Sequence, residues 1–144
     1  ERIALFTLGN YRRTASPADI EAYDAAFQDY ATATYQFYFS KYSGQSLKVT
    51  GSQARAADDI IVTSQLIDPN DHSGRPPLEV DFRVRTNTGK PVLVDVSVEG
   101  IWLTLSQRDM VVSVLGNGNG NLAALDAQLH QMAAGMRSGV APGK

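Results

Sequence analysis

Between Leu78 and Val98 the sequence alternates so regularly that few folds can accept it. Leu78, Val80, Phe82 and Val84 are interleaved with Glu79, Asp81, Arg83 and Arg85. After Thr86-Asn87-Thr88-Gly89-Lys90 the pattern resumes, with Val92, Val94, Val96 and Val98 against Leu93, Asp95, Ser97 and Glu99. A period of two sends the two sets to opposite faces of an extended chain, so this segment predicts a β-hairpin with one apolar and one wet face. Gly100 ends the second strand or bulges it, and Ile101, Leu103 and Leu105 offer to extend it past Trp102. An apolar sheet face must be covered by another layer, which restricts the rest of the chain.

The stretch from Ser16 to Gly44 offers such a layer. Ser16 can accept a hydrogen bond from the first helical turn, Pro17 fits where no N–H is needed, and Asp19 favours the positive end of a helix. Gly44 can close the helix in a left-handed conformation, with Lys41 in the last turn. Eight of the twelve aromatic residues lie in this stretch, set among alanines and not among leucines. Ile20, Tyr23, Phe27, Tyr30, Tyr38 and Tyr42 recur at helical intervals on one side, while Tyr35, Phe37 and Phe39 fall off that line. A tyrosine-rich stripe suits a packed core and a half-wet ligand wall equally, because the hydroxyl needs a partner when buried.

Elsewhere, residues 1–14 read as a short helix or the tail of one, Gln45 to Arg55 as a strand, and Asp58 to Ile67 as a second strand rich in Ile, Val and Thr. Residues 68–77 are loop by their Asp, Asn, Gly and Pro content. Gln107 to Leu115 reads as helical. Asn121 can cap a final helix carrying Leu122, Leu125, Leu129, Met132 and Met136, and the tail from Arg137 reads as disordered. The expectation is an α+β fold: a long N-terminal helix packed on a curved antiparallel sheet of about four strands, followed by C-terminal helices, enclosing an apolar cavity. Residues 1–144 are read as one domain, with 43% hydrophobic residues sufficient for a core.

Composition narrows the chemistry. A net charge of −2 without a long run of either sign gives no footprint for nucleic acid. The absence of cysteine excludes thiol catalysis, Cys-ligated zinc and disulfides. The sequence starts at Glu1 without Met or a leader, which reads as a processed or trimmed product. Gly116-Asn117-Gly118-Asn119-Gly120 lacks the preceding strand of a dinucleotide fingerprint and any following Gly-Lys-Ser/Thr. His72 and His130 have no partner at metal-ligand or catalytic spacing. Asp81, Asp95 and Glu99 fit a cross-strand charge ladder with Arg83 and Arg85; as general bases they would need enclosure. Trp102 fits a core or a ligand wall. No motif implies a cofactor.

Four separated blocks, in order and spacing, resemble the MlaC family of periplasmic lipid-binding proteins. They are residues 8–17 (Leu-Gly-Asn-Tyr-Arg-Arg-Thr-Ala-Ser-Pro), Tyr42-Ser43-Gly44, Val80-Asp81-Phe82-Arg83-Val84-Arg85, and residues 95–101 from Asp95 to Ile101. The likeness covers about Leu8 to Leu129. It departs from the family at Arg12, where Trp is usual, at Lys90-Pro91-Val92 in place of Trp-Lys-Val, and at Ser106-Gln107-Arg108 in place of Asn-Tyr-Arg. Further helices usually precede this region, so the resemblance implies missing N-terminal residues. It also implies a periplasmic carrier of phospholipid that works without catalysis. Its partners would be an inner-membrane MCE-domain ABC transporter complex and an outer-membrane lipoprotein complex, and a related branch, HpnM, implies hopanoid instead.

On this reading Phe27, Tyr30, Tyr38, Val80, Phe82, Val96 and Trp102 are expected among the pocket walls. Two other readings stay open on the residues alone. One is a cone-shaped isomerase or dehydratase using Asp81, Asp95 or His72 as base, and the other is an interaction domain with a filled core.

Overall fold

The computed structural model describes residues 2–41 and 43–141; Tyr42 and the side chains of Arg2 and Phe39 lie outside the described residues. The chain divides into two compact units, Glu1–Tyr42 with Gln107–Lys144, and Ser43–Ser106. The first is helical. It holds α1 (Arg2–Thr7), a 3₁₀ helix (Gly9–Arg13), α2 (Pro17–Phe39), most of α3 (Leu103–Asn117) and α4 (Leu122–Arg137). The second carries β1 (Ser46–Ala56), β2 (Asp59–Ile67), β3 (Leu78–Arg85), β4 (Val92–Val98) and β5 (Ile101–Trp102). The α+β class expected from the sequence is the one observed, with five strands in place of about four.

The start of α2 is as the sequence dictates. Ser16 Oγ accepts from the Asp19 N–H at 3.2 Å, and the Asp19 carboxylate accepts from the Ser16 N–H at 3.1 Å. This is a complete capping box with Pro17 behind it. The end differs from expectation: α2 stops at Phe39, with Ser40 as its C-cap, and does not run to Gly44. The Ser40 hydroxyl donates to the Phe37 carbonyl at 2.8 Å, and the Lys41 N–H bonds Tyr38 O in a tightened last turn. Gly44 uses its positive φ in the connection to β1.

The buried stripe of α2 also differs. Tyr23, Ala26, Phe27, Tyr30, Ala33 and Phe37 are buried, Phe37 at 6% exposure, whereas Tyr38 is 52% exposed. Tyr23, Tyr30 and Phe37 are seven apart, so each lies only about 20° from the last, while Tyr38 sits about 80° from Tyr30. An interval of eight was too loose a link. The stripe joins Leu125, Leu129, Ala133 and Met136 of α4 and Val111 and Leu115 of α3 in one core. Asn121 Oδ1 caps α4 by accepting from the Ala124 N–H at 3.0 Å.

Tyr23 shows how the helical core handles a polar tip. Thr7 Oγ1 donates its proton to Ala4 O at 2.7 Å, so in the 2.7 Å contact between Tyr23 and Thr7 the phenol is the donor. Burial pushes that phenol well above the ordinary tyrosine range. On the surface, Asp29 of α2 receives both Arg137 and His130 of α4, the latter at 2.8 Å. These contacts, Arg137 first, hold its carboxyl below the usual range.

The β unit is an open, curved antiparallel meander in the order β1-β2-β3-β4-β5. Glu99 and Gly100, both at positive φ, form the two-residue turn between β4 and β5, the arrangement that matches strand twist. β5 is only two residues long because α3 begins at Leu103, earlier than the expected Gln107. Asp95 of β4 sets that start: its carboxylate accepts from the Thr104 N–H at 3.2 Å and from the Thr104 hydroxyl.

Candidate functional site

Cross-strand register decides which side chains of the sheet share a face. Val80 lies opposite Ser64 and Val98, Phe82 opposite Val62 and Val96, and Val84 opposite Ile60. Leu66 joins Leu78 to Leu47, Val49 faces Ser64, and Ile101 faces Val98. Directly opposed residues point the same way. One face of all five strands is therefore apolar, from Leu47 and Val49 at one edge to Ile101 at the other.

Two bulges shape this face. Between Arg83↔Asp95 and Val84↔Leu93 the register slips, leaving Val94 as the extra residue. Leu93, and not Val92, then stands beside Val84, and Val92 pairs with Arg85 on the wet face. This corrects the expected uninterrupted alternation of Val92, Val94, Val96 and Val98, since one inserted residue reverses the parity of everything beyond it. In β1 a similar slip between Val49 and Gly51 keeps Ser52 and Ala54 on the apolar face.

Little of this face is closed. Val80 is buried, whereas Val49 is 64% exposed, Ile101 62% and Leu93 54%, and Ile60, Val62, Leu66, Phe82, Val84, Val96 and Val98 are half-buried. Of the two serines on this face, Ser52 lies exposed in edge strand β1, and Ser64 is buried with its hydroxyl donated to Val80 O, so it presents no unsatisfied group. The arrangement offers a largely hydrocarbon surface with no charged side chain on it.

The opposite face holds the charge. Arg83 grips Asp59 through Nε at 2.9 Å and a terminal nitrogen at 2.7 Å, and Arg85 reaches Asp58 at 3.0 Å. Hydrogen bonding from Arg83 keeps the Asp59 carboxyl low. Arg83 faces Asp95 across the strands as expected, but the hydrogen bonds of Arg83 and Arg85 go to Asp59 of β2 and to Asp58 just before it. Asp95 is engaged at α3, and Glu99 Oε1 accepts from the Glu79 N–H at 2.7 Å. His72 lies exposed in the loop before β3. Among the described residues no three His, Asp or Glu side chains converge as metal ligands, and no helix is long and apolar enough to cross a membrane.

Of the seven side chains expected around a pocket, the sheet brings Val80, Phe82 and Val96 together on its apolar face. Trp102 pairs with Ser97 and so lies on the other face. Phe27 and Tyr30 are packed in the core of the helical unit. Tyr38 sits on its surface, edge-on to the Phe37 ring at 5.6 Å. Ile60, Val62, Leu66 and Val98 share that apolar face and are not among the seven. The period-two spacing of Ile60, Val62 and Leu66 was visible, but their partners across the ladder were not.

Comparison with known proteins places this architecture. Over 94% of the chain and 73% of the other, at 19% identity and a TM-score of 0.76, the fold is similar to that of a phospholipid-binding protein from Ralstonia solanacearum, whose structure was solved in complex with a phospholipid. A family model described as MlaC protein matches residues 1–131. A match over that much of the 144 residues means that the chain belongs to the MlaC family.

Proposed function

We propose that this chain is a periplasmic lipid carrier, non-enzymatic, which holds phospholipid acyl chains against the apolar face of its sheet. In this reading it passes lipid between an inner-membrane MCE-domain ABC transporter complex and an outer-membrane lipoprotein complex. The observation that carries the proposal is the open apolar face around Phe82, with Val62, Val80 and Val96 beside it. Family membership and the lipid-bound relative of the same fold support it.

The energetics suit a carrier. Burying roughly 30 methylenes at about 0.8 kcal/mol each amounts to some 24 kcal/mol relative to water, which bars free lipid from an aqueous space. A bilayer provides the same burial, so net transfer is close to isoenergetic and direction comes from docking partners and the transporter. A surface without charge or catalytic groups holds chains by area alone, which allows release.

The test is native mass spectrometry of the natural full-length protein, with lipid analysis of whatever dissociates on denaturation. A stoichiometric phospholipid adduct is expected, lost in Phe82→Asp while the far-ultraviolet circular dichroism is unchanged. A hopanoid adduct would change the ligand class. An apo mass throughout would overturn the carrier reading, and a folded Phe82→Asp that keeps its lipid would remove Phe82 from the surface.

A further inference from the structure

We propose that the free edge of β1 docks a partner protein by strand addition, taking an extended acidic segment that alternates carboxylates with apolar side chains. The docking rests on the edge itself and does not need the apolar face to hold lipid.

β1 is the longest strand of the sheet, eleven residues from Ser46 to Ala56, and all of them are exposed. It ends the strand order, and among the described residues its backbone pairs with β2 alone. Along the outer side about every second N–H and C=O therefore points away from the sheet. Such a row can add a strand from another chain, with main-chain bonds giving affinity and alternate side chains giving selectivity. The register slips after Val49 and after Ala54 bend β1 but leave Ser46–Val49 and Gly51–Ala54 as regular runs.

The side chains state what the added strand must carry. Leu47 and Val49, both exposed, end the apolar face at this edge, and Lys48 lies between them on the opposite face. A strand paired alongside sets its residues on the same two faces, so it places apolar side chains beside Leu47 and Val49 and a carboxylate beside Lys48. Arg55 repeats the demand further along. No Asp or Glu occurs between Asp29 and Asp58, where Lys41, Lys48 and Arg55 stand, although the chain as a whole has a net charge of −2. Among the described residues neither Lys48 nor Arg55 makes an ion pair; Asp59, whose carboxylate feels Arg55, is held by Arg83. The β1 of a second copy would bring the same two cations and no acid, so like charge opposes self-pairing. An acidic strand instead continues the apolar face past Leu47 and Val49. On the carrier reading, that continuity gives acyl chains an unbroken apolar route onto the partner.

The test uses the full chain and a capped peptide alternating valine and glutamate, read by titration of the backbone amide resonances and by amide hydrogen exchange. Alternate amides of residues 46–56 should gain protection. Lys48→Gln and Arg55→Gln should each weaken binding about threefold. Val49→Asp should abolish it by charging the apolar contact, and Lys90→Gln in the hairpin turn should leave it unchanged. N-methylation of alternate peptide residues should abolish binding in one phase and spare it in the other, the mark of a strand held by one edge. No binding, protection outside β1, equal binding of a valine–lysine peptide, or indifference to N-methylation in both phases overturns the proposal. So does a dimer formed through β1 without peptide, which makes a second copy the occupant, or binding of phosphatidylglycerol vesicles in place of the peptide, which makes it an anionic membrane.

Discussion

In the helical unit fourteen apolar side chains, from Ala4 to Met136, are buried against one another; on the β unit's apolar face, among the described residues, Val80 is the one buried apolar side chain. Both regions are apolar enough to make a core, and they differ in closure. Alanines at 26, 33 and 133 lie in the buried cluster where α2 and α4 meet, so large side chains such as Tyr23 and Leu129 fill the remaining space. A single sheet layer has no way to satisfy its own face. Apolar content alone therefore does not distinguish a core from a binding surface; the distinction is whether side chains have partners.

The sharpest way to break this comparison is to truncate one apolar residue in each region. Leu129→Ala, fully buried, should cost about 2–5 kcal/mol in denaturant unfolding. Val62→Ala on the open face should cost about 1 kcal/mol or less in the lipid-free protein, yet speed lipid loss from the loaded one. Equal costs would mean that the sheet face is as closed as the helical core. Next in size, Tyr23→Phe should cost about 1 kcal/mol, because Thr7 loses a donor but keeps its own bond to Ala4.

Two pH experiments sharpen the helical side. Asp126 of α4 has a buried oxygen without a hydrogen bond, and burial raises its carboxyl above the ordinary range. A raised carboxyl favours the protonated form in the folded state, so the stability it lends is present at acid pH and lost as pH rises through the folded value. Asp126→Asn should then stabilise at pH 7 by up to about 1 kcal/mol, discounted for partial exposure, and the gain should vanish near pH 3. Asp29 has the opposite sign. Its carboxyl is held low by Arg137 and His130, so its contribution is present above the ordinary carboxylate range and lost as pH falls through the folded value. The small melting difference between wild type and Asp29→Asn should close in acid.

Much of the fold was legible because its signals are local. The capping box needs Ser16 and Asp19, three residues apart, and β3 was bounded as observed by its own alternation. The end of α2 was not, since Gly44 carries the stop signature while Ser40, a weaker one, takes the bond. The hairpin's own alternation put Val80, Phe82 and Val96 on one face, and the register has them there. Trp102 was not seen to turn away, because its face depends on the two-residue turn at Glu99-Gly100.

What the sequence by itself determined is the set of elements and their amphipathic faces, since period and capping are properties of contiguous residues. The tertiary structure alone decided which apolar faces close. Parity beyond the bulge at Val94, the pairing of Leu66 with Leu47 and Leu78, and the burial of Phe37 in place of Tyr38 all depend on partners distant in the chain. An apolar side chain gains the same free energy from any apolar neighbour, so composition cannot say which neighbour it will have, or whether that neighbour is protein or ligand.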